Sequence, residues 1–119
     1  MKLVIQNGCR HTLARKEFEP MLALFPPKWS TGVNAITFYS GDSEGMETRY
    51  FKKERILGVF WPQESQDLNE KEKAIEQILI SLACISENSA LCLDKSNSDY
   101  FSETTASIRK ECFRMLEST

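Results

Sequence analysis

The segment Ile56–Trp61 (ILGVFW) constrains the fold more than any other part of this 119-residue chain. Successive side chains of a β-strand point to opposite faces of the sheet. Because every residue of the segment except one glycine is large and apolar, a strand here is apolar on both faces. Pro62 ends the strand, since proline cannot continue the hydrogen-bond ladder. We therefore expect a central or doubly covered strand rather than an edge strand.

Three other segments have the pattern of β-strands. Lys2–Gln6 is a short β-prone run followed by the turn signal Asn7-Gly8, and residues 33–40 alternate between two faces. Met46–Phe51 is separated from the inner strand by the charged turn Lys52–Arg55. Because consecutive strands joined by short turns usually pair side by side, we expect residues 33–61 to form an antiparallel meander.

Apolar residues at helical spacing predict three helices. The strongest pattern begins at Asn69, which with Glu72 resembles a capping box, and ends at residue 87. A final helix is expected from Ser102. The apolar stripes of these two helices are Ile75, Ile78, Leu79, Leu82 and Ile85, and Phe101, Ile108, Cys112, Met115 and Leu116. The first helix is expected after Thr12, which can cap it, and Pro20 either kinks this helix or starts a shorter one.

The order of these elements predicts a single α+β domain over residues 1–119. We expect a three- to four-stranded, mainly antiparallel meander sheet packed against an N-terminal helix and two C-terminal helices. A chain of this length buries enough surface to form one hydrophobic core without metals or disulfides. The four cysteines show no C-x-x-C spacing, which indicates packed or half-exposed thiols in a reducing compartment.

Composition restricts the location and the class of partner. No apolar run approaches the roughly 18–20 residues that cross a bilayer, and the first residues do not resemble a signal peptide, so a cytoplasmic protein is expected. Residues 1–60 carry nine Lys and Arg against six Asp and Glu, whereas residues 61–119 carry six against eleven. These two halves either attract each other within the fold or face different partners. The net charge of −2 argues against a dedicated DNA-binding domain.

Cys9 and the single histidine, His11, are the one candidate for reactive chemistry. A Cys–His pair can act as a nucleophile with its base, or can supply two ligands of a zinc site completed by Cys84 and Cys92. No sequence signature of either chemistry is present, and the plain interpretation is a histidine in a turn beside a half-buried cysteine. We expect no metal and no cofactor.

Basic and aromatic residues interleave in the sheet region and at Lys28-Trp29. Such a sheet surface could stack single-stranded bases and neutralise phosphates, although the acidic second half of the chain weighs against nucleic acid. A sheet face left uncovered by the helices, with Trp61 and Trp29 on it, would instead suit a protein partner or self-association. The candidate surface comprises Trp29, Tyr39, Arg49, Tyr50, Phe51, Lys52, Lys53, Arg55 and Trp61.

The order of elements over about residues 12–87 resembles the minimal core of zincin-type metallopeptidases. Both have a helix, a three-stranded meander that ends in an apolar strand, and a long amphipathic helix. In that family the last helix carries H-E-x-x-H, in which two histidines bind zinc and the glutamate activates water. The corresponding turn here reads Glu76-Gln77-Ile78-Leu79-Ile80. The resemblance therefore implies a degenerate zincin-like domain that lacks the metal motif.

The leading functional interpretation is a small, non-catalytic binding or regulatory module that acts through protein–protein interaction, with a homodimer as one form of it. Two alternatives remain. The first is single-stranded nucleic-acid binding through the basic and aromatic sheet surface. The second is a small Cys/His-dependent enzyme or a degenerate zincin-like domain.

Overall fold

The computed structural model describes residues 1–41, 45–62, 69–87 and 103–117, which form one α+β domain. Its strands are β1 (Lys2–Ile5), β2 (Ala35–Ser40), β3 (Glu47–Phe51) and β4 (Ile56–Trp61). Its helices, within these described ranges, are α1 (Arg15–Leu22), α2 (Trp29–Gly32), α3 (Glu70–Glu87) and α4 (Glu103–Glu117). None of these helices is long and apolar enough to span a bilayer.

The four strands form one mixed sheet in the order β1-β2-β4-β3. β1 pairs with β2 and β2 with β4 in parallel, and only β3 and β4 are antiparallel neighbours. The prediction that β4 is an inner strand is confirmed, and the prediction of a mainly antiparallel meander is wrong. Because β4 is apolar on both faces, it takes the position between β2 and β3, and the more polar β3 takes the edge. The consecutive strands β2 and β3 are therefore not neighbours in the sheet.

The first parallel pair is joined by a crossover that contains α1 and α2. α1 begins after Ala14, not after Thr12, and Glu17 accepts a hydrogen bond from the Ala14 N–H at 3.1 Å. Pro20 lies inside α1, so the alternative in which it starts the helix is wrong. Proline removes one backbone donor and disfavours continuation of a helix, and α1 ends two residues after Pro20, at Leu22.

The helices of the described ranges share one core with a single face of the sheet: α1 and α3 contact the strands, and α2 and α4 pack on α3. The strands contribute Leu3, Ile36, Phe38, Leu57, Val59 and Trp61 to this core. The helices contribute Phe18, Met21, Trp29, Ala74, Ile75, Ile78, Leu79, Leu82, Ala83, Ile108 and Cys112. The predicted stripes of α3 and α4 thus face the core as expected, whereas Phe101 and Ser102 lie outside the described residues.

A partly buried ion pair joins α1 to α3. The Lys71 Nζ lies 2.8 Å and 3.0 Å from the two carboxylate oxygens of Glu17. Burial alone would raise the pKa of Glu17, but the Lys71 ammonium and the Ala14 N–H outweigh burial and hold that pKa below its usual value. The ionised form is therefore stabilised more in the folded chain than in the unfolded chain.

We expect Glu17→Gln to lower the free energy of unfolding at pH 7 by about 1 kcal/mol, a figure kept small because Lys71 is partly exposed. A depressed folded-state pKa contributes stability above the unfolded-state pKa, about 4.3, and this contribution disappears as the pH falls through the folded value. The difference in the free energy of unfolding between wild type and variant should therefore shrink between pH 5 and pH 3. Urea denaturation at each pH measures this difference.

Glu19→Gln is the matched control for that measurement. Glu19 pairs with Arg15 at 2.8 Å, but both side chains are about half exposed. An exposed pair of this kind contributes little, so the control should change stability by less than about 0.5 kcal/mol. A Glu17→Gln effect that stays constant down to pH 3, or that equals the Glu19→Gln effect, would contradict the role given to this ion pair.

Candidate interaction surface

The sheet face opposite the helices carries the side chains that alternate with the core residues. We call this surface the open face. It consists of Lys2, Val4, Ala35, Thr37, Tyr39, Glu47, Arg49, Phe51, Ile56, Gly58 and Phe60. Val4 and Phe51 are 38% and 37% exposed, which is high for large apolar residues. No helix of the described ranges covers this face. Tyr39, Ile56 and Phe60 are half-buried, whereas the smaller Ala35, Thr37 and Gly58 are buried among their neighbours.

Three aromatic rings meet at the centre of the open face, and we refer to them as the aromatic trio. Tyr39 and Phe60 stack with ring centroids 5.0 Å apart, and Phe51 packs 6.4 Å from Tyr39 and 6.5 Å from Phe60. Gly58 lies beneath them. A Cβ atom on Gly58 would lie 2.8 Å from the Phe51 ring and 3.2 Å from the other two rings. The missing side chain at Gly58 therefore provides the space in which the rings converge.

Arg49, on β3, packs its guanidinium against the aromatic trio. Its guanidinium carbon lies 5.4 Å from the centroid of the Phe60 ring, and its Nε lies 3.3 Å from a carboxylate oxygen of Glu47. Tyr39 is on β2 and Arg49 is on β3, so they flank the β4 residue Phe60 from opposite sides. The Phe60 ring thus has both a stacked ring and a guanidinium as close neighbours within the protein.

The predicted surface residues separate into three groups. Tyr39, Arg49 and Phe51 come together on the open face. Lys52 and Lys53 are exposed in the turn beside it. Arg55, which has a φ of 56°, donates from Nη1 to the carbonyl oxygen of Thr31 at 3.2 Å, and so extends towards α2.

Tyr50, Trp29 and Trp61 do not belong to the open face. Tyr50 points to the helix side, because it alternates with Arg49 and Phe51, and its hydroxyl donates to the Gly32 carbonyl oxygen at 2.6 Å. Trp29 and Trp61 are each 1% exposed, so the expectation that they form an uncovered patch is wrong. Trp61 shares the parity of Leu57 and Val59 along β4, which directs its indole into the core.

Sequence reasoning missed the residues that complete the open face: Val4, Ile56, Gly58 and Phe60. For Ile56, Gly58 and Phe60 the signal was the strict alternation along β4. Once one residue of that strand is assigned to the core, its neighbours at odd and even positions are assigned as well. In an inner strand that is apolar on both faces, the sequence of the strand does not show whether its odd- or even-numbered residues face the helices. That choice depends on contacts with other elements.

Cys9 and His11 have separate partners. The Cys9 thiol donates to the Arg10 carbonyl oxygen at 3.7 Å. Burial raises the pKa of this thiol, and its hydrogen bond with Ser40 only partly opposes that shift. The His11 Nδ1 lies 2.8 Å from the Leu13 carbonyl oxygen. A nucleophilic cysteine needs a lowered pKa, and this environment produces the opposite direction.

The other cysteines give no support to a metal centre. Within residues 1–41, 45–62, 69–87 and 103–117, no three His, Cys, Asp or Glu side chains are grouped so that they could hold a metal ion. Cys84 is half-buried on α3, and Cys92 lies outside the described residues. Burial raises the pKa of Cys112 to about 11, as expected for a thiol that serves in packing.

Comparison with known proteins finds no relative. No protein-family model matches the chain, and neither a curated protein nor a solved structure matches it significantly. The turn of α3 that corresponds in order to the zincin motif places Ile78 and Leu79 in the core. In the same turn, Glu76 accepts a hydrogen bond from Arg109 of α4 at 3.2 Å.

Proposed function

We propose that this chain is a non-catalytic binding module that docks a protein partner on the open face. The observation that carries the proposal is the aromatic trio, which lies at the centre of a partly exposed apolar surface. Interfaces are rich in aromatic and arginine side chains at their centres, and an uncovered apolar patch on a small domain indicates a docking surface. The open face offers Tyr39, Phe51, Phe60 and Arg49 together.

The geometry of Phe60 favours a protein partner over single-stranded nucleic acid. A base stacks on a free ring face, at a gain of about 1–3 kcal/mol per base. Phe60 is stacked on Tyr39 at 5.0 Å and lies beneath the Arg49 guanidinium, so a base would compete with these neighbours for its ring. The exposed part of the aromatic trio and the aliphatic side chains around it suit the apolar side chains of a protein.

A binding role also agrees better than catalysis with the surroundings of Cys9 and His11. A catalytic pair requires contact between nucleophile and base, with a third group that orients the base. Here His11 packs its ring 5.5 Å from Phe38 and 6.2 Å from Trp61, and its Nδ1 bonds to backbone. The histidine ring therefore packs on the edge of the core.

The proposal is tested by photo-crosslinking from a benzoylphenylalanine placed at position 51. Leu24 is the matched control, because it is 37% exposed, as Phe51 is, but follows α1 on the helix side. In nuclease-treated extract we expect position 51 to give a discrete crosslinked protein band that position 24 does not give. The band should weaken when Tyr39→Ser is added to the position-51 protein. Equal crosslinking from both positions, or none from position 51, would contradict docking on the open face.

A further inference from the structure

One end of the open face is basic. β1, β2 and β4 begin at this end and β3 finishes there, so that Lys2, Ala35, Ile56 and Phe51 lie in one row across the sheet. Three strand spacings separate the ends of the row, a distance of about 14 Å. Lys52 and Lys53 follow directly after Phe51. Lysines thus border both ends of an apolar row.

These lysines are not neutralised within the part of the chain that the structure describes. Lys2, Lys52 and Lys53 are exposed and form no ion pair with a described residue. The acidic residue of the open face, Glu47, is already paired with Arg49 at 3.3 Å. Glu54 is the only acidic residue in the turn. A partner seated on the apolar row therefore meets an excess of positive charge at both ends of the row.

We infer that the occupant of the open face is an acidic apolar segment of a protein partner. Its apolar side chains would pack on Phe51, Ile56 and the rest of the aromatic trio, and its carboxylates would lie against the lysines. Charges at the rim of an interface steer association and select the partner. A second copy of this chain fits less well, because a symmetric pairing that aligns the basic ends brings like charges together. This inference rests on the proposed function.

The inference is tested by fluorescence anisotropy with three labelled probes. The first is a short peptide in which Leu and Phe alternate with Glu, the second has Lys in place of Glu, and the third is a single-stranded oligonucleotide of similar length. We expect the acidic peptide to bind about tenfold or more tightly than either other probe, with an affinity that falls as salt rises. Equal binding of both peptides, or tighter binding of the oligonucleotide, would overturn the inference.

Charge-reversal variants assign the binding to this surface. We expect a triple variant to bind the acidic peptide with an affinity lower by about tenfold or more. It combines Lys2→Glu, Lys52→Glu and Lys53→Glu. A control with Arg10→Glu, Lys16→Glu and Lys110→Glu changes the net charge equally at exposed positions elsewhere and should change affinity by less than about threefold. Equal losses in both variants would mean that net charge alone attracts the peptide, which overturns the inference.

Phe51→Ser distinguishes failure of the inference from failure of the proposed function. If the position-51 crosslink forms while charge reversal leaves the acidic peptide unaffected, the open face docks a partner of another chemistry and only the inference fails. If charge reversal abolishes binding while Phe51→Ser and Leu24→Ser bind the acidic peptide equally well, the lysines act without the apolar part of the open face, and the inference fails. The proposed function fails only if the position-51 crosslink is absent or is matched at position 24. The proposed function and the inference are both supported if Phe51→Ser lowers the affinity for the acidic peptide and Leu24→Ser does not.

Discussion

Replacing Trp61 with alanine is expected to lower the free energy of unfolding by about 3–5 kcal/mol, the usual cost of removing a large buried aromatic ring. The Trp61 side chain is 1% exposed and packs edge-to-face on Phe38 with ring centroids 5.1 Å apart. Alanine would leave a cavity at the point where β2, β4 and His11 meet. Urea denaturation followed by far-ultraviolet circular dichroism measures the loss.

Trp61→Phe is the companion variant, which still gives a measurement if the alanine variant does not fold. The Nε1 of Trp61 is buried without a hydrogen-bond partner in the described structure, so a phenyl ring removes an unsatisfied donor while it keeps most of the packing. We expect a loss of no more than about 2 kcal/mol. A Trp61→Ala protein destabilised by less than about 1 kcal/mol would show that Trp61 is not part of the core.

Gly58→Val should disrupt the open face from below. The new Cβ would lie 2.8 Å from Phe51 Cε2, and the valine methyl groups would enter the space that the three rings occupy. We expect the rings to be displaced, with a loss of about 1–3 kcal/mol in the free energy of unfolding, as in other overpacked sites. Crosslinking from position 51 should fall in parallel, because the open face, the proposed docking surface, changes shape.

Gly45→Val is the control for that substitution. Apart from its chain neighbours, no atom of the described residues lies within 4 Å of a Cβ built on Gly45, so the added side chain meets no described neighbour. Stability should change by less than about 0.5 kcal/mol, as at other unconstrained surface positions. If Gly58→Val were as harmless as Gly45→Val, the aromatic trio would not be the packed unit described above.

The position of β4 in the sheet was predictable, whereas the order of its neighbours was not. An apolar run such as Ile56–Trp61 identifies an inner strand by composition alone. Which strands flank it depends on pairing between distant segments, and local periodicity holds no information about that choice. The tendency of consecutive strands to pair was therefore correct for β3 and β4 and wrong for β2 and β3.

The candidate site was recovered in part for a related reason. Tyr39, Arg49 and Phe51 were found because aromatic and basic residues cluster in the sequence. Trp61 was assigned to the wrong face of the sheet. Because β4 is apolar on both faces, its sequence does not show which alternate residues face the core. Phe60, the neighbour of Trp61, is the residue whose side chain lies on the open face.

The insertion of β4 between β2 and β3 also has a consequence for the order in which the sheet can be built. A growing chain that has reached the end of β3 contains β2 and β3, but these two strands are not neighbours and cannot pair as a native hairpin. The strand that joins them is the last of the four to be synthesised. Completion of the sheet therefore waits for residues 56–61, and its parallel pairs join distant segments, which makes folding slower than in a meander of equal size.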